Sequence, residues 1–138
     1  MRMVHLVLED GRGFWRPTAA MSGIYYLIAD GVDDSNGKFK RWLQEMSKRT
    51  VPDMDLDIRG LPEECRAEFH RAARRACDRL LLQIQAGQLP AGAADSLRTL
   101  VRMKESIDRG EPPLSLSDDT QVQPFHGFVC DLDETWHR

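Results

Sequence analysis

Two aspartates near the end of the chain come nearest, in residue type and spacing, to a catalytic pattern. Asp131 and Asp133 follow an apolar run and precede Thr135, within the stretch F-V-C-D-L-D-E-T-W-H-R at residues 128–138. At this spacing one carboxylate could attack phosphorus and the other could move protons, while Mg²⁺ balanced the phosphate charge. The pattern would therefore support phosphoryl transfer through an aspartyl intermediate.

The segment D-L-D-E-T, residues 131–135, resembles the D-x-D-x-T signature of phosphatases of the haloacid-dehalogenase type. In that family the motif opens its domain, and later strands and loops supply a lysine and a second acidic cluster. Here only three residues follow, and Glu134 stands where the family usually has glycine. Because a motif without its structural context carries little information, we expect no phosphatase and no catalytic residues. A small metal-dependent enzyme that uses Asp131 and Asp133 is kept as an alternative.

The same stretch contains residue types that bind metals: His126, Cys130, Asp131, Asp133 and His137. In a strand, the first two of these would stand about 13 Å apart at ~3.3 Å per residue. Zinc ligands lie within about 2.3 Å of the ion. No glycine-rich phosphate-binding motif occurs in the sequence either. We therefore predict no metal site and no cofactor.

A second group of aspartates lies in V-P-D-M-D-L-D-I-R-G, residues 51–60, where acidic and apolar residues alternate. Alternation predicts a half-buried edge strand. The apolar residues would face the core: Met54, Leu56 and Ile58. The acids would line the other face about 6.7 Å apart: Asp53, Asp55 and Asp57. These acids would be either solvated groups that protect a sheet edge or a surface whose mutual repulsion a basic partner relieves.

A stripe of arginines runs along one predicted helix in R-A-A-R-R-A-C-D-R, residues 71–79. Arg71, Arg75 and Arg79 share a face and could meet phosphates, which makes a nucleic-acid adaptor a further alternative. Acids are interleaved with them at helical pair spacings, including Glu68 and Asp78. Intrahelical ion pairing explains the stripe more simply, so nucleic acid is not the expected partner. His70 is interpreted as a boundary residue rather than a base.

Composition places the chain among ordinary globular proteins. It has 138 residues, 41% hydrophobic and 30% charged, with a formal net charge of −3. That charge is uneven, because residues 1–110 carry 18 Lys/Arg and 16 Asp/Glu, whereas residues 111–138 carry six acids and Arg138 alone. A length of this order favours one domain over 1–138. The negative charge belongs to an acidic arm and terminal strand at about 111–138.

Cysteine placement and hydropathy predict a cytoplasmic protein. Cys65 and Cys77 would lie about 18 Å apart on one helix, too far for a disulfide, which needs Cα atoms within about 7 Å. Cys130 completes an odd number without a C-x-x-C pair, so reduced thiols are expected. The N-terminal apolar run is too short for a signal peptide. The weakly polar run at 19–29 is shorter than the ~20 residues that span a bilayer.

Hydrophobic periodicity predicts a helix-dominated α+β fold. A short strand is expected at residues 4–8, ended by the turn-forming E-D-G-R-G. Residues 18–30 suit either a helix, with Thr18 as N-cap and Gly31 as its stop, or a buried strand; length favours the helix. An amphipathic helix follows, because apolar residues recur at i, i+3, i+4 and i+7: Phe39, Trp42, Leu43 and Met46.

Two further helices, at about 62–86 and 94–109, are joined by a short connector and form a predicted αα-hairpin over about 62–109. The first helix is expected to be central, with many alanines in its buried stripe: Cys65, Phe69, Ala72, Ala73, Ala76, Leu80 and Ile84. Residues 111–121 should form an extended arm, and 122–132 a closing strand. The predicted fold therefore contains three to four helices packed with a few short strands.

These features favour a small binding module over an enzyme. The most concrete hypothesis is an immunity-type inhibitor that neutralises a toxin or another basic partner protein. A nuclease-type toxin would fit, because carboxylates can occupy a groove built for phosphates. Trp136, among acids, is expected to be an exposed anchor. The hypothesis requires both acidic stretches to share one surface. Its candidate partner-binding residues are Asp53, Asp55, Asp57, Asp118, Asp119, Asp131, Asp133, Glu134 and Trp136.

Overall fold

A β-hairpin followed by helices organises the fold, seen in a computed structural model that describes residues 3–49, 54–112 and, for the backbone, 121–122. The elements in these ranges are β1 (Met3–Val7), β2 (Arg12–Pro17), α1 (Thr18–Gly31), α2 (Gly37–Met46), β3 (Leu56–Asp57), α3 (Glu63–Gln85), α4 (Asp95–Asp108) and β4 (Gln121–Val122). The strands form one sheet in the order β3-β1-β2-β4. This arrangement confirms the predicted helix-dominated α+β class.

The β1–β2 hairpin depends on two glycines. Gly11 has a φ of 91° in the connecting turn, a conformation that favours glycine. A Cβ on Gly13 would collide with the carbonyl oxygen of Leu6 on the neighbouring strand. The sequence predicted the first strand and the turn that ends it, but it did not predict a second strand at residues 12–17. The hairpin is therefore a feature that the sequence interpretation missed.

The two faces of the sheet carry different side chains. Val4, Leu6 and Phe14 are fully buried in the core. On the opposite face, His5 stacks on Trp15, with ring centroids 4.0 Å apart. β3 continues the sheet in parallel with β1, and Leu6 lies beside Leu56. β4 pairs with β2 on the other side.

The ambiguous segment at residues 18–30 is helical, as length favoured. Its buried residues recur at helical spacing and face the core: Met21, Ile24, Tyr25 and Ile28. Pro17 occupies the N-cap position rather than the predicted Thr18, because its extended conformation leads from β2 into α1. At the other end, a Cβ on Gly31 would lie 2.5 Å from the carbonyl oxygen of Ala72. α1 therefore packs very closely against α3.

The αα-hairpin is confirmed as α3 and α4, joined by a turn in which Gly87 has a φ of 76°. α3 is the longest helix, with 23 residues, and contacts both α1 and α4. Its predicted buried stripe is observed except at Ile84, which is only partly buried. Glu68 is buried as well, which the apolar pattern did not predict. Cys65 and Cys77 are free, buried thiols.

The predicted arm at 111–121 and strand at 122–132 fall largely outside the described residues. Within the described part, Glu111 and Pro112 follow α4, and Gln121–Val122 form β4. Among the helices of that part, none combines the length and the apolarity that crossing a bilayer requires.

Candidate functional site

Asp55, one of the predicted partner-binding residues, is half-buried and bonded to the sheet. Its carboxylate accepts a 2.9 Å hydrogen bond from the backbone N–H of His5. The Asp55 side chain therefore provides a hydrogen-bond acceptor for a β1 backbone N–H, next to the point where β3 begins to pair with β1. Asp55 also lies near Tyr25, whose hydroxyl donates to the carbonyl of Met54 at 2.7 Å. Burial, with a contribution from the Asp55 charge, raises the pKa of Tyr25 well above 10.

The acids of residues 51–60 were expected to face solvent, and for Asp57 this expectation is wrong. It is only 4% exposed, and its carboxylate accepts hydrogen bonds from Nε and Nη2 of Arg59. The alternating pattern did place Met54, Leu56 and Ile58 in the core correctly. It could not show that a three-residue 3-10 turn at Ile58–Gly60 folds Arg59 back onto the acid. The hydrogen bonds that Arg59 donates to the Asp57 carboxylate raise the pKa of Arg59.

The other predicted partner-binding residues lie outside the described residues. They are Asp53, Asp118, Asp119, Asp131, Asp133, Glu134 and Trp136. The requirement that both acidic stretches share one surface therefore stays a prediction.

Arg12, which the sequence interpretation did not single out, holds the end of α4 against the hairpin. Its side chain is 3% exposed, and Nε donates to Asp10 at 2.8 Å. Nη1 donates to Ser106 at 3.0 Å, and Nη2 donates to the carbonyl of Glu111 at 2.7 Å. The backbone of Arg12 also pairs with Val122 in β4. Arg12 therefore contacts Glu111, which precedes residues 113–120, and Val122, which follows them.

The arginine stripe of α3 is engaged within the fold. Arg71 and Arg75 both bind the buried Glu68, which also accepts a 2.8 Å hydrogen bond from the N–H of Asp33. Burial pushes the pKa of Glu68 up, but these donors and the arginine charges bring it below its usual value. Arg79 binds Asp30 of α1. The expected intrahelical pairing holds for Glu68 with Arg71, whereas the partner of Arg79 lies on another helix.

His70 joins three elements through one carboxylate. Its Nε2 contacts Oε1 of Glu9 in the β1–β2 turn, and Nζ of Lys104 on α4 lies 3.6 Å from the same oxygen. Burial raises the pKa of Glu9, but the hydrogen bond and charge of His70, with a smaller effect of Lys104, leave it lower than usual. A His–Glu pair is also an arrangement that general-base catalysis uses. Such a role would require a substrate pocket next to His70.

The space beside His70 is an open cleft between α3 and α4. Its volume is about 170 Å³, with a floor that includes Ala73 and Leu100 and a rim that includes Arg74 and Lys104. Pockets for small-molecule substrates usually measure about 300–1,000 Å³. Arg74 binds Glu105, and Lys104 binds Asp108 as well as Glu9. The cleft fits a structural junction better than a substrate site.

Within residues 3–49 and 54–112, no group of three or more His, Cys, Asp or Glu side chains is placed to hold a metal ion. No family model, no curated protein and no solved structure matches the chain.

Proposed function

We propose that the protein is a small binding module that neutralises a basic partner protein, most concretely an immunity-type inhibitor of a toxin. The acids proposed to contact the partner are Asp53, Asp118, Asp119, Asp131, Asp133 and Glu134, with Trp136 as an apolar anchor. Asp55 and Asp57 are left out of this set, because their carboxylates are bonded within the sheet region.

The observation that carries the proposal is the distribution of charge between the fold and the C-terminal stretch. Residues 3–49 and 54–112 contain 17 Lys/Arg and 16 Asp/Glu, and many of these charges pair with one another, as Arg75 does with Glu68 and Arg79 with Asp30. Residues 113–138 contain five acids and a single arginine. The chain's excess of carboxylates therefore lies beyond α4.

Such an excess suits a partner whose own surface is basic. Complementary charge raises the rate of encounter and disfavours wrong partners. A nuclease groove is one such surface, since it is built to hold phosphates and accepts carboxylates in their place. The buried free thiols Cys65 and Cys77 support a cytoplasmic location, where thiols stay reduced.

The proposal is tested by capture from a lysate of the protein's source cells at moderate salt. The unsubstituted protein is compared with a variant that neutralises Asp118, Asp119, Asp131, Asp133 and Glu134 by Asp→Asn and Glu→Gln changes. A matched control neutralises five exposed acids of the described helices: Glu45, Glu63, Glu64, Asp78 and Asp95. We expect one stoichiometric basic protein with the unsubstituted chain and the control, and its loss with the C-terminal variant. No stoichiometric partner, or equal capture by all three proteins, would contradict the proposal.

A further inference from the structure

Two arginines on the outer side of α4 differ from the other cations of the αα-hairpin. All other Lys and Arg residues in the range 71–109 bind a carboxylate of the fold: Arg71, Arg74, Arg75, Arg79, Lys104 and Arg109. Arg98 and Arg102 form no ion pair with a carboxylate of the described residues. Their positive charges are therefore the ones on this hairpin that the described part of the fold leaves without an acid in contact.

Arg98 and Arg102 lie on one face of α4 and close to a third arginine. They are four residues apart, a spacing at which helical side chains are neighbours and like charges repel each other. Burial, with the charge of Asp78, raises the pKa of the Cys77 thiol. The charges of Arg98, Arg74 and Arg102 all oppose this shift. Three guanidinium groups therefore lie near one buried cysteine, and positive charge is concentrated at this place.

The C-terminal stretch of the chain begins close to these arginines. β4, the last described element, pairs with β2 at Arg12, and the Arg12 side chain donates to Ser106 of α4 at 3.0 Å. Arg102 and Arg98 precede Ser106 by about one and two turns, which is about 6 and 12 Å along the helix axis. Residues 123–138 therefore start beside the end of α4 from which the two arginines are reached.

Residues 123–138 have the length and the charge to reach Arg98 and Arg102. Asp131 follows the end of β4 by nine residues, which span about 30 Å when extended, at ~3.3 Å per residue. The stretch contains three acids and only one Lys or Arg, which is Arg138. Arginine and carboxylate groups form two parallel hydrogen bonds, so their contacts have a defined geometry as well as opposite charge.

We propose that Asp131, Asp133 and Glu134 bind Arg98 and Arg102 of the same chain, so that the C-terminal stretch docks along α4. The contact supplies acids to two arginines that repel each other and have no carboxylate partner among the described residues. It also supplies a countercharge, within one molecule, to the acids that lie beyond α4. The contact requires no partner protein and therefore does not depend on the proposed function.

For a chain that binds a basic partner, this contact is autoinhibitory. The partner and the two arginines of α4 compete for the same carboxylates, so the partner binds only after it has displaced the arginines. This consequence rests on the proposed function, whereas the contact itself does not. Both tests below use the free chain, so the contact and the binding of a partner can fail separately.

The first test uses Arg102→Lys in the full chain and a carbodiimide that joins lysine to carboxylates in contact with it. The substitution keeps the positive charge and supplies the amine. Arg41→Lys is the matched control, at an exposed cation of α2 that has no ion pair among the described residues. Mass spectrometry should find at least about tenfold more links to Asp131, Asp133 or Glu134 from residue 102 than from residue 41, because contact raises the effective concentration. Equal yields would overturn the proposal, as would a yield that rises with protein concentration, which indicates contact between copies.

A charge exchange separates this contact from general attraction between opposite charges. Arg98→Asp/Arg102→Asp sets acids against acids, and Asp131→Arg/Asp133→Arg sets arginines against arginines. In each of these variants the order parameters of the backbone at 131–134, measured by 15N relaxation, should fall below ~0.6, the range of flexible backbone. A chain with all four substitutions has opposite charges again, and its order parameters should return to those of the unsubstituted protein.

The control for the charge exchange is Arg41→Asp/Lys48→Asp, which changes the net charge by the same amount as Arg98→Asp/Arg102→Asp. Arg41 and Lys48 are exposed and form no ion pair among the described residues, and the control should leave the order parameters unchanged. A chain with all four exchanged charges that behaves like either double variant would overturn the proposal. An equal loss of order in the control would do the same.

Discussion

The Asp55 carboxylate accepts a 2.9 Å hydrogen bond from the backbone N–H of His5, next to the point where β3 begins to pair with β1. An edge N–H of β1 is thus satisfied by a side chain at a position that no β3 residue covers. The acid that alternation identified for partner binding has a defined role within the sheet.

This role predicts different effects for two substitutions at Asp55. Asp55→Ala should lower the free energy of unfolding by about 1–2 kcal/mol, because a partly buried N–H loses its acceptor. Asp55→Asn keeps an acceptor oxygen and should cost clearly less. Urea denaturation of both variants measures the difference. Equal losses would show that the hydrogen bond to His5 is unimportant and that the charge matters.

Glu68 should be the most sensitive carboxylate of α3. It is 2% exposed, and its carboxylate accepts hydrogen bonds from the Asp33 N–H and from the side chains of Arg71 and Arg75. We expect Glu68→Ala to lower the free energy of unfolding by about 2–3 kcal/mol, since hydrogen bonds to a charged group are lost. Asp78→Ala on the exposed side of the same helix should change it by no more than about 0.5 kcal/mol. A similar loss in the two variants would contradict the assigned role of Glu68.

The pKa of Glu9 predicts a pH-dependent contribution to stability. Because this pKa is lowered in the folded protein from its ordinary value of 4.5, the ionised form stabilises the fold above that pH. The contribution is lost as the pH falls through the lowered pKa. Glu9→Gln should therefore reduce the free energy of unfolding at pH 7, and the difference from the unsubstituted protein should shrink in acid. A difference that stays constant from pH 7 down to about pH 3 would be incompatible with the shift.

Two glycines at helix positions should respond to alanine with opposite sign. Gly31→Ala should destabilise by about 1–3 kcal/mol, because the added Cβ would meet the Ala72 carbonyl and push α1 from α3. Gly37, the first residue of α2, has nothing within 4 Å of a built Cβ. Gly37→Ala should stabilise by about 0.4–1 kcal/mol through the unfolded chain. Thermal or urea unfolding of the pair checks both signs, and a neutral Gly31→Ala would show that the helices can separate without cost.

Local patterns predicted the helices well because burial follows the helical period. Ile24 and Ile28 in α1, and Phe39 and Leu43 in α2, are buried as their spacing indicates. The αα-hairpin was predicted equally well, since Gly87 follows α3 and a short connector leads to α4. The central part of α1 remained ambiguous in the sequence, because β-branched and aromatic residues suit a buried strand as well.

Contacts between distant residues were beyond the sequence. His70 meets Glu9 across 61 positions, and Arg12 reaches the Glu111 carbonyl across 99. Nothing in the local pattern around Arg79 selects Asp30 as its partner. Asp57 was expected to be solvated, because alternation predicts only which face of a strand a residue lies on. It does not predict that the neighbouring Arg59 folds back and binds the Asp57 carboxylate. The turn sequence E-D-G-R-G was visible, but the strand after it lacked the alternation that would have predicted the hairpin.

The measurement that tests the central claim most directly is a titration of the captured basic partner at two salt concentrations. It compares the unsubstituted protein with Asp131→Lys/Asp133→Lys and with a control, Glu63→Lys/Glu64→Lys, at two exposed acids of α3. The proposal predicts that the C-terminal reversal weakens binding at least about tenfold and reduces its salt dependence, whereas the control changes affinity little. An unchanged affinity for Asp131→Lys/Asp133→Lys would remove the C-terminal acids from the interface and contradict the account.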